Sequence, residues 1–266
     1  MTEKISILTP SFNQGQFIEQ TIRSVLDQDH ADVEHIVIDG GSTDQTLDVL
    51  RRYPHLTWLS ERDHGQADAL NKALSMASGD IVGWINSDDF YRSRVFGSVV
   101  RHFRASAADW VIGNVSIVNG LEQARVRPSP AIDFASLASD PDIVRQQATF
   151  FRRSVLLAVG GWNAEFFMAM DYDLWMRLVR RFPPLMVDEH WASFRAHPEQ
   201  KSTAANILRQ AAEIARIQQR EGVAPRLITQ ARAKKRWYSI KGAIKKRLID
   251  MGVLPQRFRA RPLRPG

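Results

Sequence analysis

The chain has 266 residues, 44% of them hydrophobic and 24% charged, which suits one large globular domain with an appendage and excludes a disordered or fibrous protein. It contains no cysteine, so disulfides, thiolate metal sites and cysteine nucleophiles are excluded, and no apolar run approaches the roughly 18 residues of a membrane-crossing helix. The formal charge of +7 is unevenly spread: between Arg226 and Gly266 thirteen Lys and Arg meet a single acid, a net +12, which leaves −5 for the rest of the chain.

Residues Met1 to Ile5 run directly into a strand pattern, so no signal peptide is expected and a cytoplasmic location is the default. Lys4 to Pro10 reads as a first strand stopped by proline, followed by turn chemistry from Ser11 to Gly15. Phe17, Ile18, Thr21, Ile22, Val25 and Leu26 then recur at helical spacing. A second strand, His35 to Ile38, ends in Asp39-Gly40-Gly41, and Ser42 with Gln45 forms a capping-box pair for the helix carrying Leu47, Val49 and Leu50. Leu56 to Leu59 is a weaker third strand. Gln66 to Ala77 is a helix with Ala67, Leu70, Leu74 and Ala77 as its buried stripe and Gly79 as its C-terminal stop.

The run Ile81 to Ile85 is apolar throughout, the pattern of a strand buried on both faces, and it delivers Asn86, Ser87, Asp88 and Asp89 to the surface. Because side chains alternate along extended backbone, Asp88 and Asp89 are expected to point in different directions. A helix follows around Val95 to Phe103. Val115 to Val118 before Asn119-Gly120 suggests an antiparallel hairpin, and Arg145 to Arg153 an edge of the site. Gly160 to Asn163 is a turn, and Asp171 opens a helix with Leu174, Trp175, Leu178 and Val179 on one face. Trp191 to Arg195 is strand-like, and Ile207, Ala211, Ile214 and Ile217 lie at core spacing on a last helix.

Strands alternating with helices imply an α/β fold with a mostly parallel sheet covered on both faces. In the common doubly wound order the first strand lies between the second and fourth. Their carboxyl ends would then share a crevice lined by Thr9, Pro10, Ser11 and Asn13, by Asp39 and by Asp88-Asp89, a nucleotide-sized site. A dinucleotide fold is disfavoured, since the loop after the first strand lacks Gly-X-Gly-X-X-Gly and carries only Gly15.

Five pieces in order resemble family 2 glycosyltransferases, inverting enzymes of GT-A fold that use sugar nucleotides. They are Ile7 to Asn13, Ile38 to Asp44, Asn86 to Asp89, Gly160-Gly161-Trp162 ahead of Met170 to Trp175, and Phe194-Arg195-Ala196-His197-Pro198. The resemblance implies a nucleotide-sugar donor held by the loop after the first strand and by Asp39 at the base. It implies Asp88 on ribose or donor sugar, Asp89 on a divalent metal (Mg or Mn) bridging the diphosphate, Asp171 as general base and His197 as a further metal or diphosphate ligand. Asp68 joins the donor site as a weaker candidate, and Gln147, Phe151 and Trp175 stand between acceptor contact and core. Two positions depart from the family: Asn86 stands where the usual first acid would be, and Met170 where a glutamate commonly precedes the base. The Gln-X-X-Arg-Trp motif of processive members is absent, which favours transfer of one sugar.

The expected organisation is a GT-A catalytic domain over 1–202, with a nucleotide-binding half to 106 and an acceptor half from 107, and a helical basic extension over 203–266. In that extension Trp237, Ile240, Ile244, Leu248 and Met251 form one apolar face, with Lys234, Lys235, Lys241 and Lys245 off it. The pattern reads either as a helix on an anionic membrane surface, peripheral on its inner face, or as a helix packed on the body. Interleaved aromatics are few, which argues against nucleic acid. The expected activity is metal-dependent transfer of one sugar to a hydroxyl of a saccharide or lipid-linked acceptor in cell-surface polysaccharide synthesis. The alternative is a non-catalytic nucleotide-sugar-binding or scaffolding protein of the same fold.

Overall fold

The computed structural model describes residues 3–119, 122–125, 131–197, 199–201 and 206–228. Among these, nine strands form one sheet in the order β3-β2-β1-β4-β8-β6-β9-β5, with β7 paired to β6. The first half is parallel: β1 (Ile5–Ser11) lies between β2 (Val33–Asp39) and β4 (Ile81–Trp84), and β3 (Thr57–Ser60) extends it beyond β2. This is the strand order expected from the right-handed crossovers through α1 (Ile18–Leu26), α2 (Thr46–Arg51) and α3 (Gln66–Met76).

β1 continues one residue past Pro10. The Leu8 carbonyl accepts the Ile85 N–H at 3.0 Å, so Leu8 faces β4, and Pro10, two residues on, faces the same side beyond the end of that pairing. No ladder bond is lost there, so the proline does not end the strand.

The second half is mixed. After β5 (Phe90–Tyr91) and α4 (Phe96–Ala105) come β6 (Trp110–Asn119) and β7 (Glu122–Arg125), which form the expected antiparallel hairpin with Asn119 opposite Glu122. After α5 (Phe134–Ser139), the segment expected as a site edge divides: Arg145 to Gln147 do line the cleft, whereas β8 (Thr149–Arg152) enters the middle of the sheet and pairs antiparallel with both β4 and β6. The reason is visible in its two phenylalanines, which alternate into the two apolar layers, Phe150 to one and Phe151 to the other. β9 (Leu185–Arg195) follows α6 (Arg153–Ala158) and α7 (Met170–Val179) and lies parallel to β6.

Alternation also sorts the parallel strands. Leu8, Ile36, Ile38, Val82 and Trp84 enter the layer shared with α3 and α7, whereas Ile5, Ile7 and Ile81 enter the layer shared with α4. Trp110, Phe151 and Trp175 stack in the first layer with centroids 5.7–6.1 Å apart, so Phe151 and Trp175 belong to the core and make no acceptor contact.

Three further expectations change. The capping box is Asp133 with Ser136, at the start of α5; Ser42 instead donates its hydroxyl to Asp39, and Asp44 receives the Thr46 N–H. Gly79 is not a helix stop: a Cβ there would lie 2.6 Å from Ser6 Oγ, so glycine is needed for close approach to β1. On α8 (Ile207–Arg220), Ile217 is buried and Ile214 partly so, but Ile207 and Ala211 are exposed, and Glu213 and Gln218 complete the inner face. None of the described helices is long and apolar enough to cross a membrane. The expected amphipathic segment from Lys234 to Met251 lies outside the described residues.

Candidate active site

A cleft of about 580 Å³ opens at the carboxyl ends of β1 and β4, where an open parallel sheet places its ligands. Its walls come from the loop after β1 (Pro10, Ser11, Phe12), the start of α3, the end of β4, the 141–147 segment, the start of α7 and residues 199–201. The volume suits a nucleotide sugar.

Of the two acids after β4, Asp88 lines the cleft and Asp89 does not. Asp89 is 1% exposed, with Oδ1 accepting the Arg195 N–H at 2.8 Å and Oδ2 accepting Gln147 Nε2–H at 2.9 Å. Burial, and then the neighbouring Asp88 charge, raise its affinity for a proton. The two carboxyls diverge as expected, but through the turn closed by the Asp89 N–H on the Asn86 carbonyl at 3.1 Å and not by strand alternation; the open carboxylate is the first, and the second anchors the end of β9. Arg195 completes that anchor by donating Nε–H to the Asp88 carbonyl at 2.9 Å. β9 thereby delivers His197, whose Nε2 lies 3.0 Å from Asp88 Oδ2, against the Phe17 ring. His197 Nδ1 is buried without a partner among the described residues.

Asp88 on the cleft wall and His197 beside it, in hydrogen-bond contact at 3.0 Å, bring one carboxylate and one imidazole to the same place. Among the described residues no cluster of three His, Asp or Glu side chains surrounds a metal position. A cation here would thus use one carboxylate, one imidazole, phosphate oxygens and water, a donor set that suits Mg²⁺ or Mn²⁺.

Asp171 lines the cleft from the first turn of α7, with Oδ1 accepting the Tyr172 N–H at 2.7 Å. Burial pushes its carboxyl up to about 6, helped by the charge of Asp142 and opposed by that of Lys201. The residue before it, Met170, is packed in the core and brings no second charge.

The remaining expected donor residues divide. Pro10 and Ser11 line the cleft. Thr9 is buried and pairs with His35 Nε2 at 2.9 Å, on the far side of the strand. Asp39 is fully buried and accepts the Gly41 and Ser42 N–H groups at 3.1 and 2.9 Å and the Ser60 hydroxyl at 2.7 Å. It shapes the turn that faces the loop after β1. Asn13, at φ 52°, ties the two loops together by accepting the Thr43 N–H at 2.9 Å. Asp68 pairs with Lys72 at 3.2 Å and accepts the His64 N–H at 3.0 Å, outside the cleft lining.

Residues that sequence reasoning missed are Gln66, Phe167 and Lys201, all on the cleft wall; Gln146, also there, falls within the expected site edge. Lys201 stands four residues beyond His197, and that proximity was the one local signal available.

The family model for glycosyl transferase family 2 matches residues 6–177. An uncharacterized glycosyltransferase of Mycobacterium tuberculosis is 30% identical over 190 residues, covering 69% of this chain and 71% of the relative. The putative teichuronic acid biosynthesis glycosyltransferase TuaG of Bacillus subtilis is 43% identical over 94 residues, 33% of this chain and 37% of that protein. Among solved structures, the mannosyltransferase PcManGT of Pyrobaculum calidifontis, in complex with GDP-Man and Mn²⁺, superposes with a TM-score of 0.58 at 21% identity. That match covers 96% of this chain and 82% of the other. The likeness bears out the α/β, GT-A-type fold.

Proposed function

The chain belongs to glycosyl transferase family 2, and from that premise we propose that it transfers one sugar, with inversion, from a nucleotide-sugar donor to a hydroxyl of a saccharide or lipid-linked acceptor. The observation that carries this reading is Asp171: a carboxylate on the cleft wall whose proton affinity burial has raised to about 6. Such a group is ionised at neutral pH and still basic enough to accept a proton as the acceptor oxygen attacks. In that step the new C–O bond forms at the anomeric carbon, the acceptor proton passes to Asp171, and the bond to phosphate breaks with its electron pair leaving on the nucleoside diphosphate. Inversion follows from a single displacement.

Asp88 and His197 are the residues that would hold a divalent cation, and Asp89 is assigned to positioning Arg195 behind them. The cation, when bound, supplies positive charge beside the diphosphate oxygens. Pro10, Ser11 and Phe12 are assigned to the nucleoside. TuaG's place in teichuronic acid biosynthesis supports cell-surface polysaccharide assembly as the setting.

The test is turnover and binding together. The chain with Mn²⁺ is expected to release nucleoside diphosphate from at least one common sugar nucleotide when acceptor is present. Binding without any release would replace this reading with the non-catalytic scaffold. Asp88→Asn is expected to weaken the metal-dependent part of donor binding at least ~10-fold, the loss typical of a charged ligand contact. Unchanged affinity would remove Asp88 from the cation site.

A further inference from the structure

Lys201 lies on the cleft wall, half-buried, with its ammonium turned to two uncharged partners. Nζ donates to Gln66 Oε1 at 3.1 Å and sits 4.1 Å from the centre of the Phe167 ring. Among the described residues no carboxylate lies within ion-pair distance of it. The charges of Asp171 and Glu213 act on it from further off, and that of Arg209 opposes them. Burial lowers its proton affinity to about 8, which leaves it mostly cationic at neutral pH. A half-desolvated ammonium without a counter-carboxylate is costly unless an anion arrives to pair with it.

The orientation of its protein partner is fixed from behind. Asn86 Oδ1 accepts Trp84 Nε1–H at 2.9 Å and Gln66 Nε2–H at 2.7 Å, which turns the Gln66 amide oxygen towards Lys201. Asn86 Nδ2 in turn donates to Gln146 Oε1 at 3.3 Å. An acid at 86 would place a negative charge against this chain of amides; asparagine keeps it neutral, so the direct contacts of the ammonium stay uncharged.

We propose that Lys201, oriented by Gln66 and Asn86, is an anion-binding residue of the cleft that takes a negatively charged oxygen of the donor. The chemistry is shared by an oxygen of the β-phosphoryl group, which a nucleoside monophosphate lacks, and the carboxylate of an acidic donor sugar. The proposal rests on the nucleotide-sugar reading above.

The experiment compares the unaltered chain with Lys201→Met and Gln66→Leu by calorimetric titration, which needs no turnover. The probes are UMP, UDP, UDP-glucose and UDP-glucuronic acid, with the guanosine equivalents of the first two, all with Mn²⁺. If Lys201 holds phosphate, Lys201→Met weakens the diphosphate and both sugar nucleotides ~10- to 100-fold and leaves the monophosphate unchanged. If it holds the sugar carboxylate, only UDP-glucuronic acid weakens, and the unaltered chain prefers it to UDP-glucose. Either pattern supports the proposal, with Gln66→Leu expected to repeat it at smaller size. Wild-type affinity of Lys201→Met for every probe, or equal weakening of all including the monophosphate, overturns it. An unaltered chain that binds none of the probes overturns the donor reading as well.

Discussion

Asp171 illustrates how one half-buried carboxyl would couple the proposed function to stability. Its proton affinity rises from 3.8 to about 6 through burial, so activity resting on the ionised form is expected to climb about tenfold per pH unit below ~6 and level off above it. The stability effect has the opposite sign. Between about pH 4 and 6 the folded chain holds more protons at this residue than the unfolded chain, so its contribution is full below the unfolded value and is lost as pH rises through the folded one. At pH 7.5 the buried charge costs up to about 3 kcal/mol. Asp171→Asn is therefore expected to spare donor binding, lower transfer by several orders of magnitude and raise the melting temperature at pH 7.5, with the gain vanishing near pH 4. A mild loss of transfer would mean that another residue is the base. An unchanged melting temperature at pH 7.5 would mean that the carboxylate is better solvated than its burial implies.

The segment that presents Asp171 is held by an element outside the matched family region. Glu213 on α8 accepts the backbone N–H groups of Phe167, Met168 and Ala169 at 3.2, 2.7 and 2.9 Å and pairs with Arg209 at 3.0 Å. Burial alone would raise its proton affinity, but these bonds hold the carboxyl below its ordinary value. Glu213→Ala strands three N–H groups, a cost of about 2–4 kcal/mol and a melting temperature roughly 5–10 °C lower. Transfer is expected to fall through kcat more than through donor KM, because Ala169 is two residues from Asp171, the proposed base. A thermal melt with single-turnover kinetics checks both; an unchanged melt would show that water replaces the carboxylate.

Glu213 also marks where sequence patterning stops. The parallel strands were legible because apolar runs are local, and the strand order followed from crossover handedness. The seating of β8 between β4 and β6 was not, because Arg145 to Arg153 mixes aromatic with polar residues and only the sheet shows that Phe150 and Phe151 fill opposite layers. On α8 the spacing rule selected Ile207 and Ala211, which are exposed, while the inner face was built from Glu213 and Gln218 bonding to backbone. The site divides in the same way. Alternation said that Asp88 and Asp89 diverge, but which one meets the cleft depends on Gln147 and Arg195, distant in sequence. Lys201 gains its meaning only from Gln66 and Phe167.

For the whole molecule, the sequence spreads its charge unevenly. A body with net −5 carries a terminal segment with net +12, a separation that suits attraction to an anionic surface rather than a general role in solubility. Val223 is buried in the main core, and Leu227 and Ile228 pack against it, so a cut after Gly222 would damage the body and the informative truncation falls after Ile228. We propose that the segment beyond it binds anionic membrane. At about 1 kcal/mol per basic residue near the surface, four contacts give about a thousandfold preference over neutral lipid. The full chain is expected to float with phosphatidylglycerol vesicles at low salt and to be released as salt rises, since screening shortens the reach of each charge. The chain ending at Ile228 should stay in the dense fraction with its melting temperature within about 2 °C of the full chain, a change typical of losing a segment that does not pack on the body. A full chain that never floats, together with a truncated one that melts many degrees lower, would place the tail on the protein instead.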